Sequence, residues 1–234
     1  MVPIVKQNRL AFVPNHPCYA GNIDQIFPRW EKQIKSFDGS RPLFLSAQGV
    51  SWKMGPNEIA DLKQKLEKLS PGNIVVCRGD HFFALYNEAN RLDFNLTLSP
   101  DMTVTSSPSS TKAACAADGS AAEKYMWISS GNDEKWIQFD FKTPYLINRY
   151  VVRHAEAAGL DGSLNTRGFK LEISDDGKSW KTVSQYRRNT EQITDTDLEP
   201  VPARLVRLVV TDPGKDKIAR IGDVEIYGRR LAEK

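Results

Sequence analysis

The sequence predicts two domains, an N-terminal α/β segment followed by a C-terminal all-β jelly-roll sandwich. The pattern changes near residue 100, where helical and mixed stretches give way to short alternating strands separated by tight turns. Residues 99–111 are rich in Ser, Thr and Pro, which is typical of a linker running into a first strand. We therefore expect an α/β region at 1–98, a sandwich at 103–228 and a short tail at 229–234.

The composition excludes several classes of function. The chain has 32 basic and 29 acidic residues, which offers no clustered basic face for nucleic acid. No apolar run is long enough to cross a bilayer. The segment that starts at Met1 lacks the basic and apolar regions of a signal peptide, so we expect an intracellular protein, a mature form or a piece of a longer one. Three widely spaced cysteines form no metal pattern or disulfide framework and are expected to be buried free thiols: Cys18, Cys77 and Cys115.

The elements of the first domain follow from its apolar patterns. Residues 42–48 carry three consecutive apolar side chains and are a candidate for a buried strand. A helix is expected to begin at Pro56, because proline suits the first helical position, and to end before Pro71 and Gly72. The apolar face of this helix is formed by Ile59, Leu62, Leu66 and Leu69.

A second strand and helix complete a predicted βαβ unit. The strand is expected at 73–77 and the helix at 82–89, with an earlier helix at 24–37. Alternation of strands and helices implies parallel strands. Asp80 and His81 follow the second strand, where α/β folds place active-site groups, and are the catalytic candidates, although a complete site needs partners from other strands. The simpler interpretation is a glycine turn with Asp80 near the positive end of the helix.

Two runs of the first domain carry a resemblance. They are residues 42–52, Pro-Leu-Phe-Leu-Ser-Ala-Gln-Gly-Val-Ser-Trp, and residues 73–85, Asn-Ile-Val-Val-Cys-Arg-Gly-Asp-His-Phe-Phe-Ala-Leu. Both resemble the C-terminal end of the GxGYxYP family of glycoside-hydrolase-like proteins, although the signature that names this family is absent. The resemblance spans residues 8–95 and implies that the chain is the tail of a longer polysaccharide-associated protein.

Alternating side chains predict the strands of the second domain. In residues 136–141, Ile137, Phe139 and Phe141 share one face, so one side of the sheet packs on a core. The sequence Asp175-Asp-Gly-Lys178 predicts a hairpin turn, because Asp-Gly readily adopts positive φ. Further core positions are expected at Leu171, Ile173, Leu205, Leu208, Val210 and Ile226.

The order of these segments carries a second resemblance. Trp127 and the strand at 136–141 are followed by strands at 145–152, 169–180, 203–211 and 219–228. This succession resembles the coagulation factor V/VIII type C, or discoidin, domain, whose bacterial members include the family 32 carbohydrate-binding modules. The resemblance implies a galactose-binding-domain-like sandwich that binds ligands with loops at one end and has no catalytic machinery of its own.

The same resemblance implies one structural calcium ion. Its motif pairs an Asp-Gly turn before a tryptophan with an acid in the last strand, here Asp118 and Asp223. Calcium takes six to eight oxygen ligands. Carried over by position, the backbone carbonyls would come from Cys115, Ser120, Tyr125 and Gly222. The spacing from Asp118 to Trp127 is longer than usual, Tyr125 replaces a threonine, and the late acid is Asp rather than Glu. The alternative is that Asp118 makes a turn and Asp223 is a surface strand residue.

The sugar site implied by the resemblance lies on the long loop at 153–167. This loop exceeds the length that a strand connection needs, and it gathers polar side chains that could pair with adjacent sugar hydroxyls. The candidates are His154, Glu156, Asn165 and Arg167, with Tyr125 and Tyr186 as aromatic platforms for the C–H face of a sugar. Each polar residue also has a structural alternative: a strand-end histidine, a solvated Glu–Arg pair and an asparagine that turns the chain.

We therefore expect a non-catalytic carbohydrate-binding module that recognises a terminal sugar, such as galactose or an N-acetylated sugar. It would stand at the end of a polysaccharide-processing protein, in an extracellular, periplasmic or cell-surface location. The expected partner is a glycan, with neither nucleic acid nor membrane insertion. Two alternatives stay open: a glycosidase fragment with Asp80 and His81 in its cleft, and a discoidin-type adhesion or lipid-binding domain. Glu156 and Asp161 beside the apolar loop residues argue against anionic membranes.

Overall fold

The computed structural model describes residues 4–6, 9–11, 18–39, 42–49, 52, 54–75, 79–131 and 133–231. The chain divides into two compact units, Met1–Ala89 and Asn90–Lys234. None of the helices in these described ranges is long and apolar enough to cross a membrane.

The first unit is an α/β segment, as the sequence predicts. Its strands are β1 (Ile4–Lys6), β2 (Arg9–Ala11), β3 (Cys18–Gly21) and β4 (Ser46–Gly49), and its helices are α1 (Ile23–Lys35), α2 (Pro56–Leu69) and α3 (Gly79–Ala89). β1 and β2 are antiparallel, whereas β3 and β4 are parallel and are joined through α1. A βαβ unit is therefore present.

Only the end of one predicted strand belongs to that βαβ unit, because residues 46–48 of the strand expected at 42–48 lie in β4. Residues 42–45 are not in a strand, and Phe44 packs edge-on against Phe82 and Tyr86 of α3, at 5.5 and 5.1 Å between ring centroids. Residues 73–75 are likewise not in a strand, and residues 76–78, including Cys77, lie outside the described residues. The parallel pair instead uses β3, which carries too short an apolar pattern to be recognised.

The helices of the first unit agree more closely with the sequence. α1 begins at a capping box in which the Asn22 side chain accepts from the Gln25 N–H at 3.2 Å. α2 begins at Pro56, and Glu58 accepts from the Gly55 N–H at 2.9 Å. Leu62 and Leu66 are buried, but Ile59 on the same predicted face is 53% exposed.

The second unit is an antiparallel β-sandwich, which confirms the predicted fold class. Its strands are β5 (Phe94–Asn95), β6 (Thr103–Ser107), β7 (Trp127–Ser129), β8 (Lys135–His154), β9 (Gly168–Ser174), β10 (Lys181–Tyr186), β11 (Ile193–Asp212) and β12 (Ala219–Arg230). Their order is β10-β9-β11-β8-β12-β5, with β6 paired to β8 and β7 to β12. The core contains the fully buried rings of Trp127, Phe139, Tyr150 and Phe169.

The boundary between the units lies before the expected linker. Residues 94 and 95 form β5, which pairs with Tyr227 and Gly228 of β12, so residues 90–98 are part of the second unit. The Asn95 side chain also accepts from the Ile226 N–H at 3.2 Å. Within the segment at 99–111, residues 103–107 form β6.

The predicted hairpin joins β9 to β10. Gly177 has φ +73°, and Asp176 Oδ1 accepts from the N–H groups of Lys178 and Ser179 at 2.8 Å each. These hydrogen bonds lower the pKa of Asp176 to about 2. The turn places the β9–β10 hairpin at one end of the sheet, so the beginning of β9 and the end of β10 lie at the other end.

Candidate functional site

The segment between β8 and β9 is an ordered loop. It contains two short 3₁₀ turns, Glu156–Ala158 and Gly162–Leu164. Gly159 ends the first turn with φ +91°, a conformation that favours glycine. Asp161 starts the second by accepting from the Ser163 N–H at 2.8 Å. The loop therefore has a defined backbone at the end of the sheet opposite the β9–β10 hairpin.

Asn165 holds this loop in shape. Its Oδ1 accepts from the Glu156 N–H at 2.9 Å, and its Nδ2 donates to Glu156 Oε2 at 3.0 Å and to the Glu191 carbonyl at 3.4 Å. The side chain is fully buried. Asn165 therefore positions Glu156, which is exposed, and is not itself open to a ligand in this conformation.

Arg167 connects three loops. Its N–H donates to the Asp212 carbonyl at 2.9 Å, its carbonyl accepts from the Asn189 N–H at 2.7 Å, and its Nη1 donates to the Asn189 carbonyl at 3.0 Å. Asn189 also donates to the Thr166 carbonyl at 3.0 Å. The half-buried guanidinium thus lies where the β8–β9, β10–β11 and β11–β12 loops meet.

His154 does not lie on the surface, contrary to the expectation of a sugar contact. It is fully buried, its Nε2 is 2.8 Å from Thr194 Oγ1, and its ring is 5.3 Å from that of Phe169. Burial lowers the pKa of His154 to about 4. A neutral imidazole in the core supports the end of β8 and does not reach a ligand.

The two aromatic candidates lie in different surroundings. Tyr186 is half-buried, stacks on Phe169 at 4.9 Å between centroids and is 3.0 Å from Thr196 through its hydroxyl. Its ring is therefore part of the core under the loop. Tyr125 is 41% exposed and carries Lys124 Nζ 4.6 Å above its ring. Tyr125 belongs to the turn that precedes Trp127 and not to the cluster around Asn165 and Arg167.

The residues of the expected calcium site are adjacent. Asp223 is almost fully buried, and its Oδ1 accepts from the Gly119 N–H at 3.3 Å. Asp118 is exposed, and its Oδ1 accepts from the Ser120 N–H at 2.8 Å. The register of β12 shifts at Gly222, where an added Cβ would lie 3.3 Å from the Arg153 carbonyl and 3.6 Å from Ala121. The β-bulge therefore brings a carboxylate against the Asp118–Ser120 turn.

This donor set fits calcium in kind. It consists of two carboxylates together with backbone carbonyls of the same turn and of β12, and calcium prefers oxygen ligands. The remaining candidates occupy neighbouring positions: Cys115 is a half-buried free thiol in the 3₁₀ turn Ala113–Ala117, and Ser120 and Tyr125 lie in the segment that leads to Trp127. No group of three or more His, Cys, Asp or Glu side chains comes together within the described part of the chain.

The catalytic candidates lie in the first unit. Asp80 and His81 are in the first turn of α3, and His81 is half-buried. Of the strand expected to precede them, residues 73–75 are not in a strand and residues 76–78 lie outside the described residues.

Three residues that the sequence patterns do not indicate support the site residues. Thr194, Asn189 and the carbonyl of Glu191 hold His154, Arg167 and Asn165 from the β10–β11 side. The polar run 187–192 between two alternating strands signals only a turn, so its pairing with a loop more than twenty residues earlier is a tertiary feature.

Two open grooves, of about 380 and 490 Å³, lie along the β9–β10 hairpin, β10 and the middle of β11, and none of their lining residues belongs to the loop at 155–167. Their lining includes the half-buried Ser184 and Thr196 and the exposed Glu199. The loop cluster is therefore separate from both grooves.

Comparisons with known proteins agree with this architecture. Residues 101–224 match the family model of the F5/8 type C domain. The family 32 carbohydrate-binding module from Streptococcus pneumoniae EndoD is 28% identical, with a TM-score of 0.50 over 58% of this chain and 100% of that one. No curated protein matches the chain.

Two structures from Clostridium perfringens are also similar. CpGH89CBM32-6 is 21% identical, with a TM-score of 0.48 over 58% of this chain and 99% of that one. The family 32 module of NanJ, solved in complex with galactose, is 12% identical, with a TM-score of 0.49 over 58% of this chain and 99% of that one.

Proposed function

Because the chain belongs to the F5/8 type C domain family over residues 101–224, we propose that it is a non-catalytic module that binds a terminal sugar of a glycan. The loop between β8 and β9 would form the binding surface. The observation that carries this proposal is the buried Asn165, which fixes the loop and holds the exposed Glu156 at its surface. A pre-ordered loop loses little conformational entropy when a ligand binds.

The similarity to a solved carbohydrate-binding module supports the ligand class. The pneumococcal module is matched over 100% of its length, and its identity of 28% exceeds that of the other neighbours described above. Residues 101–224, which match the family model, contain the loop cluster. The ligand class is inferred from this similar module, and the binding surface is inferred from the geometry of the loop in this chain.

Two side chains are our candidates for direct contact. The Glu156 carboxylate accepts from Asn165 through Oε2 and can accept a sugar hydroxyl with its other oxygen. The Arg167 guanidinium donates from Nη1 to a carbonyl and has further N–H donors for hydroxyl oxygens. An acceptor and a donor close together suit the adjacent hydroxyls of a terminal sugar. Tyr125 is the exposed aromatic candidate, but it belongs to the turn before Trp127 and is not assigned to this contact.

We also propose calcium as a structural ion. Asp118 and Asp223 would supply carboxylate oxygens, and Cys115, Ser120, Tyr125 and Gly222 would supply carbonyls. The ion would tie the turn at 118–120 to β12 and so stabilise the start of β7. The thermal unfolding temperature should rise with added calcium and fall with chelator. In the Asp223→Asn variant, calcium and chelator should give the same unfolding temperature.

The proposed setting is a polysaccharide-associated protein at the cell surface or outside the cell. A binding module raises the local concentration of its parent on a glycan by tethering. The resemblance of residues 8–95 to the end of a glycoside-hydrolase-like family supports this setting, which stays a prediction.

A glycan array on the purified chain, with calcium and with chelator, tests the proposed function. We expect selective binding, weakened roughly tenfold in Glu156→Gln because a charged hydrogen-bond acceptor is lost. Glu199→Gln, an exposed carboxylate in the middle of β11, is the matched control and should bind like the parent. A well-folded chain that binds no glycan would contradict the proposal.

A further inference from the structure

The strand order brings three loops to the site. β9 lies between β10 and β11, so the loop after β10 is on one side of Arg167 and the loop after β11 on the other. The Arg167 carbonyl and N–H bind Asn189 and Asp212 of those loops at 2.7 and 2.9 Å. An added Cβ on Gly214 would lie 2.8 Å from the Asn165 carbonyl, which shows how closely the third loop packs. The three loops therefore share one rim.

Four exposed cations stand on this rim. Arg187 and Arg188 directly precede Asn189, and Lys215 and Lys217 follow Asp212. Within the described part of the chain, the side chains of Arg187, Arg188 and Lys217 have no hydrogen bond or ion pair, and Lys215 has a long-range interaction with Asp161. Internal pairing therefore does not account for Arg187, Arg188 and Lys217 on this rim.

The acids of the same three loops are already engaged. Their partners are the Ser163 N–H for Asp161, the Gly214 N–H for Asp212, the Arg220 guanidinium for Asp216, the Asn165 amide for Glu156 and the Thr190 hydroxyl for Glu191. Asp161 and Asp216 consequently have lowered pKa values, because these hydrogen bonds favour the charged carboxylates. These acids are exposed like the cations, but each accepts a hydrogen bond within the loops, whereas the side chains of Arg187, Arg188 and Lys217 have no such partner among the residues that the structure describes.

We propose that the module prefers an acidic glycan, one that carries carboxylate or sulfate groups near its terminal sugar. This inference rests on the proposed function and names the ligand class of the same site. An arginine guanidinium pairs with carboxylate or sulfate oxygens through a planar fork of donors. The lysines add positive potential that attracts an anionic chain from a distance, within the reach of ionic screening.

Two matched pairs of polymers isolate the effect of ligand charge on binding. Polygalacturonate and its methyl ester share a backbone and differ in the carboxylates, and dextran sulfate and dextran do the same for sulfate. Affinity electrophoresis of the full chain in gels containing each polymer measures retardation. We expect an acidic polymer to retard the chain several-fold more than its neutral counterpart, with the difference reduced by added salt.

Charge-matched variants locate the effect. The double change Arg187→Gln and Arg188→Gln should weaken binding of the acidic polymer roughly fivefold and leave binding of the neutral one unchanged. The control is Lys178→Gln with Lys181→Gln, which removes the same charge at the hairpin end of the sheet. It should bind both polymers like the parent.

The outcomes separate the two proposals. Equal binding of charged and neutral polymers, or equal losses in both double variants, would overturn the acidic preference and leave glycan binding intact. Binding to anionic lipid vesicles with no binding to either polymer would overturn both. Retardation by the acidic polymer that is lost in the Arg187 and Arg188 variant alone would support the proposal.

Discussion

His154 supports the loop from within the core, and its burial makes stability depend on pH. The folded-state pKa of about 4 lies below the ordinary value of 6.5, so protons bind the unfolded chain first as the pH falls. This contribution is fully present above pH 6.5 and decreases toward pH 4.

The resulting prediction concerns the wild-type chain and His154→Gln. Between pH 6.5 and 4, the free energy of unfolding of the wild type should fall by up to about 3 kcal/mol more than that of the variant. Urea unfolding at several pH values measures the difference between the two proteins. Parallel pH profiles would show that His154 titrates normally and is open to water.

Asn165 is the residue on which the loop depends. Asn165→Ala should lower the free energy of unfolding by about 1–3 kcal/mol, because the Glu156 N–H and the Glu191 carbonyl lose the buried Asn165 side chain as a partner. It should also abolish glycan binding. Asn148→Ala, which removes an exposed hydrogen bond to Asp93 at 2.8 Å, should change stability by less than about 0.5 kcal/mol.

An unfolding curve unchanged by Asn165→Ala would contradict the anchoring role. Loss of glycan binding in Asn148→Ala would show instead that binding responds to any loss of a surface amide.

At this scale, the sequence identified the loop but not every role within it. Glu156 and Asn165 lie together, as we expected from their positions on one loop. His154 shares a strand face with Tyr150 and Val152, both buried, so the two-residue period carried a signal for the core. The hydrogen bonds from Thr194 and Asn189 arise from strand pairing across the sheet, which spacing along one chain does not reveal.

At the scale of elements, the outer face of the sheet is held by a stack that crosses three strands and a hairpin. The Arg207 guanidinium lies 4.1 Å from the Trp180 ring and 5.7 Å from that of Trp136. It also donates to Glu172 Oε2 at 2.6 Å from Nη2, and Lys170 is 2.6 Å from Oε1. Burial raises the pKa of Glu172, but these cations outweigh it and leave the pKa lowered.

Arg207→Ala should therefore destabilise the sandwich by about 2 kcal/mol or more, because Glu172 remains buried with one partner fewer. Arg204→Ala is a suitable control, since that side chain is 42% exposed and pairs with Asp140 near the surface. Its cost should stay within about 1 kcal/mol. Equal costs in chemical denaturation would contradict the role of the stack.

The separation along the chain between paired residues explains which elements the sequence predicted correctly. The helix at 56–69 and the β9–β10 hairpin depend on neighbours in the chain and are found where predicted. β5 consists of two residues that pair with residues 227 and 228, so no local sequence pattern indicates this strand. Of the strand expected at 42–48, only residues 46–48 lie in a ladder, as part of β4, while the Phe44 ring packs on α3.

At the scale of the whole molecule, the division into two units predicts separate folding. A fragment 90–234 contains the whole sandwich and should unfold cooperatively. A fragment 99–234 lacks Phe94 and Leu96, which are 4% and 0% exposed, and should melt roughly 10 °C lower. Differential scanning calorimetry of the two fragments tests this, and equal melting temperatures would show that β5 contributes little.

The two-domain class and the sandwich were accessible from the sequence because they rest on repeated local patterns. The ligand surface was less accessible, because it is assembled from three loops that meet only when β9 lies between β10 and β11. The cationic rim is one consequence: Arg187 and Lys217 are thirty residues apart and share a site through the sheet order alone.

If the module binds a glycan as proposed, the loop cluster forms the binding surface. Backbone amide NMR of fragment 90–234, titrated with a glycan that binds on the array, locates that surface residue by residue. We expect chemical-shift changes concentrated at residues 156–167, 187–191 and 212–217. Changes concentrated along the grooves of β10 and the middle of β11 would contradict it.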